Sequence, residues 1–304
     1  MNLKQFESEL EMRKFSEPTI EGYMQNLRDF FLYINKDDTK YSPTKDDVRA
    51  FIVHLSEKKY SPATIHRAFW AIRRFFLHQE RSHELNLLAE TILPQNEAHE
   101  IEYLTPEQIK HIFSVCDSLI TNSIGKRQLM YVRDKIIIYT FFISGLRRNE
   151  LLHLRTDDVV LEKKMLRVER SKRREKSKVG FIPLKDEDIR LFSAWLKIKP
   201  QSEWLFPGRN TEEPVSESTV WYTVNKIGKL SGLHTFPHRF RHSVGSLMAS
   251  SGYRMEEIAN FLGHQSIETT RHFYAALSPA YINRRMIEFR EGFNIKNVDD
   301  DARV

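Results

Sequence analysis

The chain has 304 residues, 40% of them hydrophobic and 29% charged, the balance of an ordinary globular protein with room for two cores. Its 47 Lys and Arg against 41 Asp and Glu give a formal charge of +6, which permits a polyanionic partner without demanding one, and no run approaches the roughly 18 apolar residues of a membrane span. The single cysteine, Cys116, excludes an intramolecular disulfide, and an opening segment without a signal peptide's apolar centre leads us to expect a cytoplasmic protein with no membrane partner.

Leu3, Phe6 and Leu10 recur at helical spacing and predict a first helix ending before Ser16. Ser16-Glu17-Pro18 opens a second, with Ile20, Tyr23, Leu27, Phe30 and Phe31 turned inward. Thr44 or Ser42 caps a third that buries Val48, Phe51, Ile52 and Leu55. Ser61-Pro62-Ala63-Thr64-Ile65 echoes the opening of the second and starts a fourth, through Phe69, Ile72, Phe76 and Leu77. That makes four helices and no strand. On the fourth, His66, Arg67, Arg73 and Arg74 interleave with Phe69, Trp70 and Phe75, the mix expected of a helix that faces phosphates while its other side packs. A merely solvated basic face would carry the same residues.

Periodicity lapses from about Asn86 to Glu102, and residues 94–102 have the polar character of a linker between a domain at 1–93 and a second at 103–293. Thr105-Pro106-Glu107-Gln108 announces a helix with a Thr cap and a capping box, burying Ile109, Ile112, Phe113 and Cys116. Arg133 to Phe142 reads as a central helix buried on most sides, ending at Ser144-Gly145-Leu146-Arg147-Arg148-Asn149-Glu150. An arginine set straight after a helix-ending glycine against a core needs an anion, either Glu150 or a substrate phosphate. From Met165 to Leu184 the period falls to about two, giving a hairpin whose loop, Ser171 to Lys178, holds Lys172, Arg173, Arg174, Lys176 and Lys178 against Glu175. Helical segments follow around Asp186 to Lys197 and Ser216 to Leu230.

A helix beginning near His238 sets Phe240, Val244, Leu247 and Met248 on one stripe and His238, Arg241, His242 and Gly245 on another. Met255, Ile258, Ala259 and Leu262 form the inner face of the next helix, stopped by Gly263, so His264 leaves a helix end beside the first pair. A further helix capped by Ser266 carries Thr269 to Tyr274 back toward the same place. Past Pro279, Ile282, Met286, Phe289 and Phe293 share a side of a last helix, and residues 294–304 form a polar tail. Two arginines, Arg147 and Arg241, with His238 and His264, suit a phosphoryl group: guanidiniums grip its oxygens and imidazoles move protons near neutral pH. A phenol in that setting can serve as nucleophile. His238-x-x-x-His242 lacks the glutamate of a zinc hydrolase, and no acidic cluster with metal-ligand spacing stands beside these positions.

Taken together, Ser144-Gly145-Leu146-Arg147-x-x-Glu150-Leu151, His238-x-x-Arg241-His242, Leu262-Gly263-His264 and Thr269-Thr270 followed by Tyr274 resemble, in order, the motifs of a tyrosine recombinase of the phage-integrase and Xer type. The resemblance implies a mainly α fold: an all-helical amino-terminal core-binding domain and a mostly α catalytic domain with a small β-hairpin or sheet. It further implies that Arg147 and Arg241 clamp the scissile phosphate, Tyr274 attacks it, His238 is the general acid/base, His264 supports the phosphate, and a hairpin lysine, Lys172 in first place ahead of Lys176 and Lys178, protonates the leaving oxygen. No metal and no cofactor are implied. The implied partner is duplex DNA with paired inverted repeats, met by a homotetramer or a heterotetramer with a paralogue, with His66, Arg67, Arg73, Arg74, Arg173 and Arg174 on DNA. Many members place the tyrosine nine residues after the third-box histidine, a position held here by Phe273, with Tyr274 next. The job implied is dimer resolution or the integration and resolution of a mobile element. Its rivals are a catalytically quiet DNA-binding regulator on the same fold and a metallohydrolase using His238 and His242.

Overall fold

The computed structural model describes residues 3–35, 41–95, 103–170, 178–264, 266–267 and 269–271, apart from the side chains of Leu87, Arg170 and Lys178. The chain divides into two compact units, Met1–His99 and Glu100–Val304.

The first unit is helical throughout its described residues: α1 (Leu3–Met12), α2 (Glu17–Ile34), α3 (Lys45–Glu57), α4 (Pro62–His78) and, after a 3-10 turn, α5 (Asn86–Ile92). Of the two candidate caps for α3 the structure uses Thr44, in a reciprocal capping box with Asp47. Phe6, Leu27, Phe30, Phe69, Phe75 and Phe76 are fully buried, and Phe75 meets Phe6 and Phe31 edge-on at 5.5 and 5.8 Å. Each such ring contributes about 1.5–3 kcal/mol by leaving water. One sequence expectation changes on α4. The inward stripe is Ile65, Ala68, Phe69, Ile72, Phe75 and Phe76, so Phe69 and Phe75 are on the packed side, and Leu77, one residue past the stripe, lies 43% exposed. The stretch after Asn86, where periodicity lapsed, contains α5; its seven residues are too short to display a period, yet Leu85 and Leu88 are buried.

The second unit is built on α7 (Gly125–Ser144), packed by α6 (Pro106–Thr121) on one side. Thr105 and Gln108 form the capping box foreseen for α6. Helix α7 starts well before Arg133, with a polar first turn, Gly125 to Gln128, followed by Leu129 to Val132, of which Tyr131 is buried. After α8 (Arg148–Leu152) come β1 (Val159–Val160), β2 (Met165–Arg170) and β3 (Lys178–Pro183), an antiparallel sheet in that order. Two-residue β1 is below what alternation can reveal. The register Leu166↔Ile182 and Val168↔Gly180 turns Leu166, Val168 and Ile182 into the core, leaving Val179 and Phe181, the apolar residues that marked the strand, exposed.

Helices α9 (Asp186–Ile198), α10 (Glu217–Leu230), α11 (Pro237–Ser250) and α12 (Met255–Leu262) complete the unit, with helical backbone again at Thr269 to Arg271. Helix α11 is buried on nearly every side: Arg239, Arg241, Ser243 and Ser246 are as enclosed as Phe240 and Val244, whereas Leu247 and Met248 are half-buried. The loop residues Lys172, Arg173, Arg174 and Lys176, the segment with Tyr274, Ile282, Met286, Phe289 and Phe293, and the tail lie outside the described residues.

Candidate active site

Three chain turns meet in the second unit. Helix α7 ends at Gly145, whose left-handed backbone (φ +58°) closes the helix by donating to the Phe141 carbonyl at 2.9 Å. A Cβ there would stand 2.5 Å from Leu262 Cδ2, so glycine is required both for the backbone and for the approach of α12. Helix α12 ends in the same way at Gly263 (φ +67°), and His264 follows. The third element is the first turn and a half of α11, bearing His238 and Arg241.

Arg241 ties the other two together. It is 3% exposed, and its Nη1 and Nη2 donate to the carbonyls of Gly145 and Leu262, each at 2.7 Å. Both acceptors sit at helix C-termini, where unsatisfied carbonyls and the helix dipole favour a cation. Arg147, at the N-cap of α8, donates from Nη2 to the Gly263 carbonyl at 3.1 Å. Its Nη1 and backbone N–H meet the two oxygens of Glu150, both at 2.9 Å. Of the two anions open to Arg147, then, Glu150 is one, while the Arg147 side chain keeps 36% of its surface exposed against 3% for Glu150. Arg148, beside it, reaches Glu217 in the first turn of α10 at 2.7 Å.

His238 stands beside this cluster and keeps an exposed side. Burial first, then the charges of Arg241, Arg147 and Arg148, hold its pKa below the ordinary histidine value, with Glu150 opposing weakly. The imidazole is therefore neutral near pH 7 and able to take a proton. Its ring centroid lies 5.9 Å from that of His242. Among the described residues no three His, Cys, Asp or Glu side chains cluster as metal ligands would. His264 is anchored through Nδ1, 2.9 Å from Oγ1 of Thr270, a residue with no exposed surface. Thr270 was legible as part of a motif but not as a partner, since a hydroxyl six residues away carries no periodic signal.

Arg147, His238, Arg241 and His264 are thus brought together, while Lys172 and Tyr274 lie outside the described residues, as do Arg173 and Arg174. In the first unit the outward stripe of α4 holds His66, Arg67, Trp70, Arg73 and Arg74. His66 Nε2 donates to the Pro94 carbonyl at 2.8 Å, Arg73 lies over the half-exposed Trp70 ring at 5.3 Å, Arg74 lies over Phe15 at 5.3 Å, and Arg67 is exposed.

Two guanidiniums and two imidazoles gathered on a mainly α unit are a set chemically suited to a phosphoryl group. The phage integrase family matches residues 102–280, and the phage integrase N-terminal SAM-like domain matches residues 3–82. Tyrosine recombinase XerA of Pyrococcus horikoshii is 31% identical over 272 residues, covering 88% of this chain and 87% of that protein. Tyrosine recombinase XerC of Syntrophus aciditrophicus is 25% identical over 309 residues, covering 93% and 94%. Two solved structures share the fold at 19% identity and a TM-score of 0.69: the XerH site-specific recombinase bound to palindromic difH substrate, covering 90% of this chain and 79% of that one, and the Tn1549 transposon integrase in complex with transposon right end DNA, covering 95% and 100%. The chain belongs to the phage integrase family and is a tyrosine recombinase, an enzyme that breaks and rejoins DNA at specific sites.

Proposed function

We propose that this chain cuts and rejoins duplex DNA by metal-free transesterification through a 3′-phosphotyrosine, with Tyr274 as nucleophile. Arg147 and Arg241 hold the scissile phosphate. His238, neutral at working pH, takes the phenolic proton and later returns it. His264 supports the developing charge, and Lys172 protonates the leaving 5′ oxygen. The observation that carries this reading is the convergence of Arg147 and Arg241 on the carbonyls of Gly145, Leu262 and Gly263, which sets two guanidiniums beside His238 and just ahead of His264. Energy of the phosphodiester is conserved in the protein–DNA bond, so religation needs no nucleotide cofactor.

His66, Arg67, Arg73 and Arg74 of a first domain at 1–93, with Arg173 and Arg174 of a catalytic domain at 103–293 joined to it through 94–102, contact the DNA backbone. The enzyme acts in the cytoplasm as a tetramer on paired inverted repeats, in dimer resolution or in the movement of a mobile element.

The test is a nicked recombination site incubated with protein and run on a denaturing gel. A covalent protein–DNA species forms with wild type, survives EDTA and is absent with Tyr274→Phe; a species undiminished by that substitution, or abolished by EDTA, overturns the reading.

A further inference from the structure

The contact between His264 and Thr270 has more in it than a tether. Thr270 is fully enclosed, and its backbone N–H already donates to the Ile267 carbonyl at 2.8 Å, so the side-chain hydroxyl is placed by the helix turn rather than by chance. The histidine is fixed from the other side: its own N–H donates to the Ala259 carbonyl at 2.8 Å across the Gly263 cap. Ring nitrogen and hydroxyl are 2.9 Å apart and have little freedom to separate.

A hydroxyl is a neutral partner whose single oxygen can donate to a bare ring nitrogen or accept from a protonated one without moving. When the imidazole of His264 is neutral, a hydroxyl that donates to Nδ1 leaves the proton on Nε2. When the imidazole is charged, the same hydroxyl accepts from Nδ1–H, and Nε2 again carries a proton. A backbone carbonyl in the same place would force the neutral proton onto Nδ1 and strip it from Nε2. A carboxylate would do likewise. Phosphate oxygens accept and do not donate, so a histidine that serves a phosphate through Nε2 needs a proton there in both charge states.

We propose that Thr270 is a positioning residue that fixes the Nε2–H form of His264, keeping a hydrogen-bond donor aimed at the DNA phosphate across the pH range in which the ring titrates. This rests on the reading of His264 as a phosphate contact. Whatever Nε2 touches before DNA binds, it is the ring nitrogen not committed to Thr270. Because Thr270 lies four residues before Tyr274 in sequence, the same bond also joins the third motif to the segment that carries the nucleophile.

Two independent readouts decide it. Histidine-labelled full-length protein, with the His264 ring signals identified by their loss in His264→Gln, is examined by 15N NMR above the ring's titration. The proposal requires a protonated Nε2 and an unprotonated Nδ1 in wild type and in Thr270→Ser, and an exchange-averaged ring in Thr270→Val; a proton on Nδ1 in wild type overturns it. In parallel, cleavage of the nicked site is followed kinetically. Thr270→Val, nearly isosteric, loses about 10–100-fold, the range for removing a hydrogen-bonded partner behind a functional histidine, and Thr270→Ser recovers most of the rate. In a His264→Ala background the same valine substitution costs less than about twofold, because its effect passes through the ring. A full loss in that background, or no rescue by serine in protein that melts like wild type, makes Thr270 merely structural. Failure of the reading itself looks different: wild type then forms no adduct at all, and the NMR result still decides the tautomer.

Discussion

Gly145→Ala is the substitution in which stability and catalysis are tied to one atom. At φ +58° an alanine pays the left-handed penalty of about 1–2 kcal/mol. Its new methyl would stand 2.5 Å from Leu262 Cδ2, and Leu262 cannot swing aside freely, since it is fully buried and packed with Val244, Ala249 and Ile258. Forcing that neighbour costs a further ~1–3 kcal/mol, offset by about 0.4–1 kcal/mol from the stiffer unfolded chain. The net loss is about 1–5 kcal/mol, or about 3–15 °C in the melting transition of a unit of roughly 200 residues. Gly125→Ala supplies the matched control, with the same φ of +58° and nothing within 4 Å of the added carbon; it loses about 1 kcal/mol or less. Gly145 and Leu262 also provide the two carbonyls that hold Arg241, so pushing them apart misplaces the guanidinium. Cleavage of the nicked site at a temperature well below both transitions therefore falls about 100-fold with Gly145→Ala and hardly at all with Gly125→Ala. Calorimetry and the cleavage assay on the two variants decide the matter: equal losses of stability, or a Gly145→Ala enzyme that cleaves normally, refute the packing account.

Arg241→Lys should lose cleavage by about 100-fold or more and stability by about 1–3 kcal/mol, because a compact ammonium lacks the planar two-armed fork that reaches one carbonyl with each Nη and leaves a buried acceptor poorly satisfied; full activity in the lysine enzyme counts against the double anchor. For His238, a depressed pKa means the neutral ring is favoured by the fold, so its contribution to stability is present above the unfolded value near 6.5 and fades as pH falls below it. Arg148→Gln removes one of the cations that depress it, raises the pKa and moves the acidic limb of the cleavage profile to higher pH; a limb unmoved or shifted down contradicts the electrostatic assignment. Cys116, buried with its thiol pushed up to about 12, should ignore a thiol reagent at pH 8 until the protein unfolds, and rapid labelling of native protein would show the site is open.

What the sequence disclosed about the fold follows from how local each signal is. Thr105, Pro106 and Gln108 specify a helix start within four residues, and the capping box forms as read. The inward stripe of α4 is likewise local, yet its edges were not: whether Phe75 or Leu77 faces the core turns on about 100° of helix rotation each, which α2 settles by packing against it. On β3 the composition marked a strand through Val179 and Phe181, but the pairing with β2 chose Ile182 for the interior. A strand's face is a property of its partner. Short elements such as β1 and α5 were invisible for the plainer reason that fewer than two full periods were present.

The site divides along the same line. Arg147, His238, Arg241 and His264 could be named because their residue types, in that order and spacing, suit one chemistry. Their anchors could not, because the groups that hold Arg241 and one arm of Arg147 are backbone carbonyls, which every residue possesses. Two glycines are the visible trace of that arrangement: Gly145 and Gly263 end their helices in left-handed turns, which turns the last carbonyls of α7 and α12 toward α11. The choice of anchor has a chemical consequence. A carboxylate would orient a guanidinium and also neutralise it, as Glu150 partly does for Arg147, whereas the carbonyls of Gly145 and Leu262 orient the Arg241 guanidinium through dipoles alone. Burial and the charges of Arg241, Arg147 and Arg148 together hold His238 toward its neutral form beside these guanidiniums. On the proposed mechanism, one cluster of cations would both bind the anion and help keep the base in the form that can accept a proton.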